Sequence, residues 1–253
     1  MRTVDLDMAG RAYVVSGGTR GLGFAAAQQL VAEGGRVVIS GRTADSVSAA
    51  SEKLGGPARA VGVVADNAAA TVGDTLAEAA TRSFGRLDGV LISAGGPVPG
   101  KATDITDEQW LGAFESVFLG ALRIARAAAR VLPPGGAIAF VLSSSVKSPL
   151  SQLAISNGLR PGLGMVAKTL ADELGPAGIR VLGLLPGRIA TARTEELDAR
   201  APGRRAAAEA TIPLRRYGDP AEFGRVAAFL LSPAASYLTG LVVPVDGGAL
   251  RCL

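Results

Sequence analysis

AYVVSGGTRGLGFAAAQQL, Ala12 to Leu30, reads as a β-branched strand that breaks into a glycine-rich turn and then enters an Ala-rich helix from about Gly21. Gly17, Gly21 and Gly23 occupy the turn and the helix start. With no Cβ at those points the backbone can approach a pyrophosphate closely, and a helix N-terminus offers free N–H groups and positive potential. Taken alone, the turn also suits an ordinary strand-to-helix connection.

The surrounding pattern favours the nucleotide reading. RVVIS leads to a helix from about Thr43, AVGVVA to a helix ending near Phe84, and GVLIS (Gly89 to Ser93) to a long helix from about Asp107 to Leu132. AIAFVL (Ala137 to Leu142) follows the Pro133–Gly136 turn and leads to a helix ending near Leu174; IRVLGLL, a helix from about Pro220 and the strand LVVPV close the chain. Repeated βαβ units of this kind predict an α/β fold: seven parallel strands with helices on both faces. The polar Arg/Glu-rich stretch from about 191 to 210 interrupts the alternation and is expected to form a lid over a cleft within a single domain spanning 1–253.

Composition narrows the chemistry. The 253 residues contain no histidine, which removes Ser-His-Asp hydrolysis and the HExxH zinc site, and no metal site is expected. A single cysteine, Cys252, excludes an intrachain disulfide and suits a reducing cytoplasm. The formal charge of +4 comes from arginines dispersed along the chain, so no nucleic-acid partner is expected, and no apolar run approaches membrane-spanning length.

The glycine spacing resembles the TGxxxGxG turn of the short-chain dehydrogenase/reductase family, with Ser16 in place of the Thr. Further resemblances follow in order: VVADN with Asp66, LLPGRIAT with Pro186, Gly187 and Thr191, and the tail SYLTGLVVPVDGG. The resemblance spans nearly the whole chain and implies a doubly wound, Rossmann-type sheet with its cleft at the carboxyl ends of the strands. It implies nucleotide contacts from Gly17, Thr19, Arg20, Gly21, Leu22, Gly23, Arg42, Asp66, Ser93, Ala94, Gly95, Pro186, Gly187, Ile189 and Thr191. Ser40-Gly41-Arg42 ends the second strand without the acid that would hold the ribose of NAD, and Arg20 stands inside the turn. Two cations converging on one expected phosphate site favour NADP, as NADPH, over NAD.

In the family's usual form an Asn, a Ser and a Tyr-x-x-x-Lys pair run the chemistry. Counting back from Glu173 by the family's spacing puts the Tyr position at Ser156 and the Lys position at Arg160, and 13 residues earlier (156 − 13) stands Ser143. Counting from Trp110 puts the Asn position at Val117, and the family's NNAG reads Ile92-Ser93-Ala94-Gly95. Only Ser143 keeps its type. An aliphatic hydroxyl is far harder to ionise than a phenol, and Arg160 keeps a permanent cation that can hold ribose or substrate charge without shuttling a proton. Pro161 is expected to alter the helix there. The other tyrosines, Tyr13, Tyr217 and Tyr237, read as packing residues, and Lys147 could reach the cleft.

The pattern looks like a divergent, ketoacyl-reductase-like branch. Two functions fit it: an NADP-dependent oxidoreductase acting on a small carbonyl or alcohol, with Ser143, Ser156 and Arg160 as its atypical catalytic positions, or a catalytically silent nucleotide-binding protein acting as sensor or partner subunit. Lyase or isomerase chemistry without hydride transfer is a third. The resemblance also implies a homotetramer or homodimer, and the face formed by Gly158, Gly162, Met165 and Val166 permits close helix contact either between copies or within the chain.

Overall fold

The computed structural model describes residues 5–199 and 202–252. In chain order it contains β1 (Ala12–Val15), α1 (Gly21–Ala32), β2 (Arg36–Gly41), α2 (Ala44–Lys53), β3 (Ala60–Val64), α3 (Val72–Phe84) and β4 (Gly89–Ile92). Then come α4 (Asp107–Ala113), a π-helical turn at Phe114–Leu119, α5 (Gly120–Ala129), β5 (Ala137–Val141), α6 (Ala154–Leu174) and β6 (Arg180–Pro186). The last elements are α7 (Ala192–Ala199), α8 (Arg204–Thr211), α9 (Pro220–Leu231) and β7 (Leu241–Val245).

The strands form one seven-stranded sheet in the order β3-β2-β1-β4-β5-β6-β7, and every pair is parallel. Side chains alternate across it: Val14, Val38, Val90, Ile138 and Val181 face the layer of α3, α5 and α6. Tyr13, Val37, Ile39, Leu91 and Leu182 face the layer of α1 and α9. Because both faces are buried, the central strands are apolar at every position, which is why they read as uninterrupted β-branched runs. The chain runs outward from β1 to β3 and then returns to β4 on the other side of β1. That reversal is the crevice in which doubly wound sheets bind their ligands.

Two helical expectations are corrected. The stretch from Asp107 is not one regular helix to Leu132, because six residues wind as a π-helix between α4 and α5 and the helix ends at Ala129. Gly120 lies just beyond that turn, where a Cβ would stand 2.1 Å from the Asn67 carbonyl oxygen; only glycine lets α5 pack so close to the end of β3. Pro161 does not interrupt α6, which runs unbroken for 21 residues with Ile155, Leu163, Ala167 and Leu170 buried against the sheet. Burial of that face outweighs the single donor that proline lacks.

Gly158 and Gly162 are taken up within the chain, against the rings of Trp110 and Phe118. Met165, Leu111 and Phe114 remain exposed on the same side. The 191–210 excursion consists of α7 and α8; its Arg200 and Ala201 lie outside the described residues, as do 1–4 and 253.

Candidate active site

The carboxyl ends of β1, β2, β4, β5 and β6 open onto a cleft of about 560 Å³, and every nucleotide and catalytic candidate named from the sequence lines it, from Gly17 and Arg20 through Ser93 and Ser143 to Arg160 and Thr191.

At the β1 end the glycines are required by geometry. Gly17 has φ 60° and Gly21 φ 57°, both left-handed. A Cβ on Gly17 would stand 2.4 Å from the Ser93 carbonyl oxygen, and one on Gly23 would stand 2.5 Å from the Gly17 carbonyl oxygen. Ser16 ties the turn to the neighbouring strand, since its hydroxyl accepts the Ser93 N–H at 3.0 Å and donates to the Ser93 carbonyl at 3.2 Å. Ser40 holds the other side, accepting the Gly17 N–H at 3.3 Å through its hydroxyl. No side chain caps α1 and no acid stands in its first turn, so its N-terminal N–H groups face the cleft unneutralised. Arg20 and Arg42 are exposed on this rim and form no ion pair among the described residues. Asp66, after β3, is also exposed, and its carboxylate accepts the Ala68 N–H at 2.9 Å. The cradle fits a dinucleotide.

The other end is built by β4, β5 and α6. Ser143 lines the cleft, and its hydroxyl oxygen caps a single turn by accepting the Ser145 N–H at 3.1 Å. Ser156 is buried, with its Oγ 3.1 Å from the Oγ of the equally buried Ser145. Arg160, one turn further along α6, is 5% exposed. It donates to the Val141 carbonyl and, at 3.5 Å, to the Ala94 carbonyl. Burial pushes the guanidinium down to about 10, with the nearby Arg193 cation contributing. Arg193, on α7, reaches across to the same loop and donates to Gly96 at 2.8 Å and to Pro97 at 3.2 Å. Val117 stands in the π-helical turn and lines the cleft with an apolar side chain.

None of the three tyrosines lines the cleft. Tyr13 is in the core, where burial raises its phenol pKa; Tyr217 is buried near α7, where burial and then Asp198 raise it. Tyr237 is fully exposed, which corrects the packing expectation: it stands in the loop before β7 with nothing over it. Lys147 points to solvent and does not line the cleft. Among the described residues no group of three or more His, Cys, Asp or Glu could hold a metal, and no helix is long and apolar enough to cross a membrane.

The family model described as enoyl-(acyl carrier protein) reductase matches residues 17–249. An uncharacterized oxidoreductase of Mycobacterium bovis is 34% identical over 240 residues, covering 94% of this chain and 96% of its own. A short-chain dehydrogenase/reductase structure from Brucella melitensis superposes with a TM-score of 0.91 at 28% identity, over 96% of this chain and 98% of that one. The chain belongs to the short-chain dehydrogenase/reductase family. L-sorbose reductase of Gluconobacter frateurii, solved in complex with NADPH and L-sorbose, is 31% identical with a TM-score of 0.88, over 99% of this chain and all of the other. Membership makes the chain an oxidoreductase-type protein of a family that binds a nicotinamide nucleotide and acts on small molecules.

Ser40 and Arg193 line the cleft, and the buried Ser145 lies behind it. Ser40 stands in the acid-free Ser-Gly-Arg that ends the second strand, and its hydroxyl also supports the glycine turn. Ser145, third of the serine triplet, turns inward to Ser156, and the triplet gave no sign of which member would do so. Arg193 lies two residues past Thr191, and nothing in its local sequence places it against the loop after β4.

Proposed function

We propose that the protein is an NADP-dependent oxidoreductase that transfers a hydride to or from a small carbonyl or alcohol, with the family's Tyr and Lys positions occupied by Ser156 and Arg160. The observation that carries this reading is the glycine cradle flanked by Arg20 and Arg42, with no carboxylate at the end of β2. A relative of 31% identity solved with NADPH supports it.

Gly17, Gly21 and Gly23 would hold the pyrophosphate, Arg20 and Arg42 the 2′-phosphate, and Asp66 the adenine end; Ser93 to Gly95, Pro186, Gly187, Ile189 and Thr191 would flank the nicotinamide half. The bound nucleotide supplies or accepts the hydride. The hydroxyl of Ser143 keeps its proton free to donate to a substrate oxygen, because its cap bond uses only a lone pair. Arg160 stabilises negative charge that develops on that oxygen. Ser156 is paired to Ser145 and has no base beside it, so the proton comes from water entering the open cleft. In this reading α7 and α8 would act as the lid of a single domain, and the exposure of Leu111, Phe114 and Met165 supports assembly as a homodimer or homotetramer.

A second reading is favoured by one specific observation: no phenol reaches the cleft. In it the protein binds nucleotide and turns nothing over, serving as sensor or partner subunit. Oxidation of NADPH across a panel of small aldehydes, ketones and oxo acids separates the two. Turnover with any compound, lost in Ser143→Ala, supports the oxidoreductase; no turnover with any, despite bound NADPH, supports the silent protein.

A further inference from the structure

Arg160 poses an electrostatic problem that the protein does not solve internally. A guanidinium carries five N–H donors and a charge that is costly to bury unpaired. At 5% exposure Arg160 has, among the described residues, two carbonyl partners, one of them at 3.5 Å, and no carboxylate forms an ion pair with it there. Arg180 is an instructive contrast. It is also 5% exposed, but its guanidinium is held by the carbonyls of Leu230, Ser232 and Leu238 at 2.7, 2.9 and 3.5 Å and does not line this cleft. Such a site is structural; the Arg160 site opens onto solvent and is incomplete.

A second cation shares the place. Arg193 donates to Gly96 and Pro97 while Arg160 donates to Ala94, so both guanidinium groups rest on one four-residue strip after β4. A Cβ on Gly96 would fall 2.3 Å from Arg193 Nη1, so the strip leaves room for that side chain. Asp66 is the single carboxylate among the described residues lining the cleft, and it lies beyond β3, three strands from β4. The four arginines of the cleft therefore divide into two pairs: Arg20 and Arg42 on the rim beside β1 and β2, and Arg160 and Arg193 over β4 and β5.

We propose that Arg160 and Arg193 form an anion seat for the substrate, and that the substrate class is an oxo acid or hydroxy acid whose carboxylate replaces the backbone carbonyls as the partner of these two side chains. This rests on the oxidoreductase reading above and adds its substrate class. Two planar N–H forks that already grip carbonyl oxygens fit a carboxylate, which accepts such bonds bidentately. The seat accounts for a buried cation with no counter-ion among the described residues, and it places Arg193, carried by α7, where the lid would contact bound substrate.

Calorimetric titration of the whole protein tests this with 2-oxobutanoate and acetoacetate, each against its methyl ester, with NADP⁺ saturating and again without nucleotide. Each acid should bind about tenfold or more tighter than its neutral ester, as expected for charge-assisted bonds, and without displacing NADP⁺. Arg193→Gln, at an exposed position, should remove most of that preference while leaving NADP⁺ affinity unchanged; Arg160→Met should remove it as well. Equal binding of acid and ester, or a preference that survives both substitutions, would overturn the proposal. So would loss of the acid on saturation with NADP⁺, because the seat would then belong to the nucleotide's own phosphates. Failure of NADP⁺ itself to bind would defeat the oxidoreductase reading, whereas the nucleotide-free titration would still report on the seat.

Discussion

Replacing Arg160 with Met should leave the unliganded protein as stable as before or more so, whereas the same replacement at Arg180 should destabilise it. Burial brings Arg160 down to about 10, well below the ordinary arginine range, and at 1.36 kcal/mol per pH unit this is a penalty of about 3 kcal/mol. The folded value lies below the unfolded one, so the unfolded chain holds this proton more tightly. The penalty is therefore present in full at every pH below about 10 and fades as pH rises from there toward the ordinary arginine range. Met matches much of the aliphatic stem and removes the charge. The loss is two bonds to the carbonyls of Val141 and Ala94, about 1 kcal/mol each, and cleft water can take their place. The net expectation is a gain of about 1 kcal/mol, or roughly 2–4 °C in melting temperature for a chain of this length. At Arg180, where burial also lowers the guanidinium, three carbonyls lose their donor away from the cleft. Unsatisfied buried acceptors cost about 1–3 kcal/mol each, so a net loss of about 2 kcal/mol or more is expected. Urea unfolding at pH 7 and a fixed protein concentration reads both variants. An Arg160→Met protein that falls as far as Arg180→Met would refute the description of Arg160 as an uncompensated buried cation.

Gly17→Ala should abolish nucleotide binding, since its Cβ would overlap the Ser93 carbonyl and its left-handed backbone disfavours a side chain; fluorescence titration with NADPH checks this. On the proposed assignment of Ser156 and Arg160, Ser156→Tyr with Arg160→Lys should raise kcat for carbonyl reduction by about 10²-fold, within the range for a positioned proton donor, in stopped-flow or steady-state assays. An unchanged kcat would mean that proton delivery does not limit the reaction. Asp88→Ala should cost about 2–3 kcal/mol in urea unfolding, because the 4%-exposed carboxylate accepts the Ala12 N–H at 2.8 Å and two bonds from Arg86 at 2.7 Å.

The sheet was legible because each strand is a short β-branched run and each crossover an Ala-rich helix, patterns fixed by burial on both faces. The glycine turn was legible for the same local reason: close approach and left-handed backbone admit almost nothing else. The cleft's other end was legible only by counting from Glu173 and Trp110, which located Ser143, Ser156, Arg160 and Val117 but not their partners. Ser145 and Arg193 gained their roles through contacts spanning 11 and 97 residues of chain, which no local periodicity encodes. The π-helical turn leaves no mark in the sequence, because its residues look like any amphipathic helix; the close packing of Gly120 on Asn67 marks it only in three dimensions.

Equilibrium binding of NADPH and NADH to the purified protein, with Arg42→Ala and Arg20→Ala beside the wild type, is the most direct test of the nucleotide site. NADPH should bind at least tenfold tighter than NADH, and loss of either arginine should narrow that gap while leaving NADH affinity nearly unchanged, as expected when a charge-assisted phosphate contact is removed. Binding of neither nucleotide, or equal binding that ignores both arginines, would contradict an NADP-dependent enzyme built on this cradle.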